Sequence, residues 1–210
     1  MRRFVTSCVL LAAASIAHGA TAFTWTFSGS NTDLGTTEVF SNNGVSITAS
    51  GFASNGTTED LFGKNLGGNE VGLGLINDPT GNDEIYYQSS NVDFIQLDLT
   101  NVLAQHISNI QIAMNSVTNG ETWRVYNTST AGTLVGATTL LNGSNQQTLN
   151  SISPTHNYLD IVVTGPSPSG NVLLYQLTGV TPEPATFVLA GSALLGLGLL
   201  RRKKQFSSKS

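Results

Sequence analysis

Asp93-Phe94-Ile95-Gln96-Leu97-Asp98-Leu99 alternates apolar and polar side chains, with Ile95, Leu97 and Leu99 in one phase and Gln96 and Asp98 in the other. A period of two places the first three on a single face of a pleated strand, whereas a helix would scatter them around its axis. The same spacing recurs in Phe23, Trp25, Phe27; in Val45, Ile47, Ala49; in Val71, Leu73, Leu75; and in Leu159, Ile161, Val163. Between these runs stand Asn42-Asn43-Gly44, Asn55-Gly56, Asn119-Gly120, Asn142-Gly143 and Pro166-Ser167-Pro168-Ser169-Gly170. Such residues accept positive φ or preset a turn. No helical apolar stripe interrupts the pattern from Phe23 to Val180. About ten short strands fit this length, which predicts an all-β fold, an antiparallel β-sandwich.

The expected core includes Trp25, Val45, Leu73, Ile95, Leu97, Ile112, Ile161 and Val163. Around Ile107 the pattern is mixed. Ile110, Ile112 and Met114 alternate, whereas Val102, Leu103, Gln105 and His106 could form one helical turn. The reading is a strand after a short irregular segment.

Outward from the sandwich, both ends differ from the middle. Residues 1–22 have a basic start at Arg2 and Arg3, an apolar run from Phe4 to about Ala17, and small residues after it. That order predicts a cleavable signal peptide, handled by the secretion translocon and signal peptidase. Cleavage after Gly19 would use Ala17 and Gly19, and cleavage after Ala22 would use Ala20 and Ala22, the closer approach to A-x-A. Phe4 follows Arg3 at once, with no extended polar region, so an ordinary basic start is preferred over a twin-arginine signal.

At the other end, Thr181-Pro182-Glu183-Pro184 precedes an apolar run over 185–200 and then Arg201-Arg202-Lys203-Lys204. A helix over 185–200 would be about 24 Å long, a short but workable transmembrane span with snorkelling flanks. Arg201, Arg202, Lys203 and Lys204 would stay cytoplasmic, leaving the domain of residues 23–180 across the membrane. Pro182 and Pro184 favour an extended backbone around Glu183, a peptide that a processing enzyme can grip.

Pro182, Glu183, Pro184, the apolar helix and Arg201-Arg202 together resemble the PEP-CTERM sorting signal, which spans 181–210 here. The resemblance implies recognition by the membrane protease exosortase and membrane insertion before processing. It also implies a brief stay in the inner membrane, followed by delivery to the cell surface or extracellular matrix of an exopolysaccharide-producing bacterium. An uncleaved single-span anchor is the plainer alternative. Gly72-Leu73-Gly74-Leu75 through Asp83-Glu84-Ile85, followed by Asp93 to Leu99, is similar to the jelly-roll ectodomains of many such proteins, which implies a fold and no activity.

Charge narrows the partners. Seven of the nine basic residues lie at the ends, and only Lys64 and Arg124 fall in the middle, while all thirteen acidic residues lie between Asp33 and Glu183. An acidic domain with two cations is a poor ligand for nucleic acid. The single cysteine, Cys8, falls in the signal segment, so the mature domain has no disulfide and no thiol nucleophile.

No catalytic set emerges. The G-x-S-x-G elbow of serine hydrolases is absent. His106 and His156 lie fifty positions apart without cysteines nearby, which does not suit zinc. The adjacent carboxylates Glu59-Asp60 and Asp83-Glu84 would face opposite ways on extended chain, unlike a glycosidase pair. The acidic turn from Asn77 to Glu84 offers Asp78, Asp83 and Glu84 as calcium ligands without EF-hand spacing; a solvated acidic loop explains the same residues. Trp25, Trp123, Tyr86, Tyr87, Tyr126 and Tyr158 could stack on sugars if exposed together, or pack in the core. The expectation is a non-enzymatic structural or adhesive surface protein contacting polysaccharide, with its ligand site unknown. A carbohydrate-binding module or a secreted hydrolase are the alternatives.

Overall fold

In a computed structural model the described residues are 20–182, apart from 54, 77–80, 88–91, 119 and 166–169. They form one compact unit, Ala22–Pro182. In chain order its elements are β1 (Ala22–Thr26), β2 (Thr32–Gly35), β3 (Thr37–Asn42), β4 (Val45–Phe52), β5 (Thr58–Glu59), β6 (Leu61–Asn65), β7 (Val71–Leu75), β8 (Ile85–Tyr86) and β9 (Phe94–Asp98). There follow α1 (Thr100–Ala104), β10 (Ser108–Asn115), β11 (Thr122–Thr128), β12 (Thr138–Gly143), β13 (Asn150–Ser151), β14 (Tyr158–Gly165) and β15 (Asn171–Val180).

These strands build an all-β, jelly-roll-like sandwich of two antiparallel sheets. One runs β13-β10-β15-β7-β6-β2, with β1 and β8 also on β15; the other runs β12-β11-β14-β9-β4-β3, with β5 on β4. The first is called sheet A and the second sheet B below. Turn spacing suggested about ten strands, and fifteen occur among the described residues. The surplus includes β5, β8 and β13, each two residues long and too short for alternation to show in sequence.

Alternation does select the core. Ile95 and Leu97 of β9 pair with Ile161 and Leu159 of β14, and all four are buried together with Trp25, Val45, Leu73, Ile112 and Val163. Trp25 also ties the two sheets, because its indole Nε1 donates to the Val45 carbonyl at 3.0 Å. The Asn43-Gly44 turn forms as its residues dictate. Both have positive φ, 48° and 79°, and they close the β3–β4 hairpin between the paired Asn42 and Val45.

Two local readings are corrected. The segment ahead of the Ile110 strand, read as irregular although Val102, Leu103, Gln105 and His106 could form one helical turn, does carry a short helix, α1 over Thr100–Ala104, whose Val102 fills the core. Asn142-Gly143, expected as a turn, lies within β12 opposite Arg124 and Trp123. Glycine is there for space, since a Cβ at 143 would stand 2.2 Å from the Trp123 ring.

The proposed membrane helix over 185–200 lies outside the described residues, as do residues 1–19 of the signal segment and the basic cluster 201–204. Among the described residues no helix is long and apolar enough to cross a membrane.

Candidate functional site

Three features of the domain could carry chemistry or contact. The first lies on the outer face of sheet A. Lys64 of β6 is paired with Gly72 of β7, and Phe62 with Gly74, so all four share the face opposite Leu61, Leu73 and Leu75. The backbone at Asp83 and Glu84 crosses this face at Gly74. A Cβ at 74 would stand 2.0 Å from the Asp83 carbonyl oxygen and 2.7 Å from Glu84 Cα, so glycine is what lets the strap down onto the sheet.

The strap brings Glu84 to Lys64. Lys64 Nζ lies 2.5 Å from Glu84 Oε1 and 2.7 Å from Glu70 Oε2, with the lysine and Glu84 side chains only 8% and 3% exposed. Ser116, held at positive φ (57°) by the end of β10, places its Oγ 2.9 Å from Glu70 Oε1 and 3.0 Å from Glu84 Oε1. Burial raises the Glu84 carboxyl to about 7 in spite of the bond from Lys64. Burial pulls the Lys64 amine down, but its bonds to Glu70 and Glu84 outweigh this and hold it above its ordinary value. Burial pushes Glu70 up, and the bonds from Lys64 and Ser116 more than reverse that. The balance is an ammonium on Lys64, a carboxylate on Glu70 and, at Glu84, an acid that keeps its proton up to neutrality. Glu84 Oε2 is buried and has no hydrogen-bond partner among the described residues.

The second feature is a strap on sheet B. On its outer face Asp160 of β14 is paired with Gln96 of β9, and the two are joined by a 2.6 Å bond from Gln96 Nε2 to Asp160 Oδ1. Gln96 Oε1 accepts from Gly132 N at 3.0 Å, which pins the β11–β12 loop over the sheet. Gly132 in turn sits against the Phe52 ring, itself stacked on Phe94. Burial raises Asp160 to about 7, only partly opposed by the bond from Gln96. Glu59 is raised to about 7 as well, by burial and then by the charge of Asp93.

The third is an open hollow of about 380 Å³ on the same sheet, lined among others by Thr122, Trp123, Arg124, Asn142, Ser144 and Thr164. Arg124 Nε donates to Asn142 Oδ1 at 2.5 Å and Nη1 to the Tyr126 hydroxyl at 2.8 Å, with the guanidinium 5.7 Å from the Tyr126 ring centre. Both ion pairs recorded among the described residues belong to Lys64, so none of them engages Arg124.

Of the residues singled out for calcium, Asp83 and Glu84 are described. Asp78 lies outside the described residues. Asp83 has φ of 56° and is half-buried, and Glu84 turns inward onto Lys64, where a cation would compete with the ammonium. Among the described residues no three His, Cys, Asp or Glu side chains lie close enough to hold a metal ion. Trp25 and Trp123 are buried, so no tryptophan platform faces solvent, while Tyr86, Tyr87, Tyr126 and Tyr158 are half-buried. Sequence reasoning missed the Lys64 and Asp160 clusters. The only signal was lysine within a strand pattern of an otherwise lysine-free domain.

Of the sorting motif, Pro182 is exposed, whereas Glu183 and Pro184 lie outside the described residues. The chain reaches Pro182 directly from β15, whose last residue, Val180, is paired with Ala22 on one side and Ser108 on the other. Residues 180–203 match the PEP-CTERM protein-sorting motif. No curated protein and no solved structure matches the chain.

Proposed function

From a chain that carries the PEP-CTERM protein-sorting motif at residues 180–203, a mark of exported, envelope-targeted proteins processed by exosortase, we propose a surface or matrix protein whose sandwich is displayed after cleavage near Pro182-Glu183-Pro184. The motif match is the observation that carries this reading. In it, the translocon and signal peptidase deliver the domain, and the apolar run 185–200 holds it in the inner membrane until processing. The charges of Arg201, Arg202, Lys203 and Lys204 keep the tail cytoplasmic. Release leaves the sandwich at the cell surface or in the extracellular matrix.

The displayed domain acts as a non-enzymatic adhesive module on exopolysaccharide. Support comes from the hollow around Arg124, where a guanidinium without a carboxylate partner among the described residues stands among hydroxyls and an amide. Such a set suits hydroxyl- and carboxylate-bearing sugars. The raised carboxyls Glu84 and Asp160 are each bonded to a protein partner and buried, which disfavours a glycosidase pair.

The sorting reading is tested by Glu183→Ala in a host with exosortase. The variant should remain in the inner-membrane fraction at its unprocessed mass while the wild type is released. If both are processed alike, or if the wild type keeps its tail, a plain membrane anchor replaces this reading.

A further inference from the structure

We propose that Lys64 and Glu84 are the two ends of an intramolecular isopeptide bond, formed by condensation of the buried amine and acid with Glu70 as the proton carrier and Ser116 as the polarising hydroxyl. A modification site of this kind needs a nucleophilic nitrogen, an electrophilic carboxyl carbon, a base within reach and exclusion of water. The cluster on sheet A supplies the first three, and the reacting pair itself is withdrawn from water, with the Lys64 and Glu84 side chains 8% and 3% exposed, while Glu70 reaches solvent at 39%.

Lys64 Nζ is 2.5 Å from Glu84 Oε1, so its distance to Cδ can exceed that by no more than one carbon–oxygen bond, within reach of near-attack separation. Glu70 Oε2, 2.7 Å from the same nitrogen, can take its proton. Ser116 Oγ, 3.0 Å from Glu84 Oε1, stands where negative charge would develop on attack. Glu84 Oε2, which takes no bond from any donor among the described residues, is the oxygen free to leave.

The step balances without any outside reagent. The Lys64 ammonium gives one proton to the Glu70 carboxylate, and the freed nitrogen lone pair attacks Glu84 Cδ of the neutral acid. The carbon–nitrogen bond forms as the carbonyl pair moves onto Oε1. A second nitrogen proton passes by way of Glu70 to the Oε2 hydroxyl, which leaves as water when the carbon–oxygen bond breaks and the carbonyl reforms. The products are a secondary amide, one water and a neutral Glu70, with no change in oxidation state.

Water opposes amide formation between free acids and amines. Fixed neighbours in a dry site react with effective molarities on the order of 10⁵ to 10⁸ M, which is what makes a folded protein a place for it. Lys64 borders a small hollow of about 210 Å³ with Phe62, Leu66 and Asn82, through which the released water can leave. The product would close residues 64–84 into a covalent ring and fasten the strap across β6 and β7. In a domain whose chain has its one cysteine at position 8, such a bond would do the work of a disulfide.

The experiment measures the purified protein, its termini fixed by mapping, by intact mass and by peptide mapping under reducing, denaturing conditions. The expected wild-type mass is one water below that of its own sequence, with the peptides containing Lys64 and Glu84 recovered as one branched species. Lys64→Arg, which keeps the charge and the ion pair but cannot form the amide, should show its full sequence mass and separate peptides. Glu70→Gln should leave an uncondensed fraction that the wild type lacks. Wild-type protein at full sequence mass, with the two peptides separate, would overturn the proposal and leave an ordinary buried ion pair; this result decides even if a variant fails to fold.

Discussion

Gly74 and Glu84 touch backbone to backbone: a Cβ on Gly74 would lie 2.7 Å from Glu84 Cα, so the missing side chain of one residue fixes where the other's carboxyl meets Lys64. Gly74→Ala must therefore lift the strap or bend β7. The expected cost is about 1–3 kcal/mol, as for overpacking elsewhere. It should appear as a lower urea midpoint with an unchanged slope. An unaltered midpoint would mean that the strap does not rest on this strand.

Asp160 predicts a pH dependence. Its folded carboxyl is raised from the ordinary 3.8 to about 7, so between these values the folded state holds a proton that the unfolded chain has lost. Its contribution is fully present below about pH 4 and is lost as pH rises through about 7, with a limiting slope near 1.4 kcal/mol per pH unit. Glu59, raised to about 7 too, acts in the same direction. Asp160→Asn keeps an oxygen to accept from Gln96 and cannot titrate. Denaturation measured from pH 4 to 8 should show a shallower decline for the variant, and identical slopes would contradict the assignment.

Trp25→Phe removes the indole donor that reaches the Val45 carbonyl from the opposite sheet. Leaving that oxygen without its partner, beside the lost ring volume, should cost about 1–3 kcal/mol. Thermal unfolding followed by circular dichroism checks this, and a change within about 0.5 kcal/mol would show that the inter-sheet bond contributes little.

On the proposed adhesive role, Arg124→Ala should weaken retention on an acidic polysaccharide by at least severalfold, and added salt should weaken the wild type in the same way. The fold should be untouched, because Arg124 is half-exposed on the outer face and its bonds run to Asn142 and Tyr126. Equal retention of both proteins in a sedimentation assay would remove this hollow from consideration.

Much was legible because it is local. Ile95 and Leu97 announce a buried strand face by spacing alone, Asn43-Gly44 announces its hairpin, and residues 180–203 carry a sorting motif whose order of proline, apolar run and basic tail needs no partner elsewhere in the chain. What the sequence could not determine is which distant residues meet. Glu84 reads as a solvated acidic residue until sheet register and the bare backbone of Gly74 bring it to Lys64, twenty positions away. Asp160 and Gln96 stand sixty-four positions apart and meet only because β14 pairs with β9 in one register. Asn142-Gly143 reads as a turn, yet the Trp123 ring needs the space of that glycine within a strand. Side-chain periodicity is set by the bonds of neighbouring residues, whereas register, strap placement and the burial of a charge depend on the free energy of the whole packed domain. The tertiary structure alone therefore decided which carboxyls lose their water, and with them where chemistry can occur.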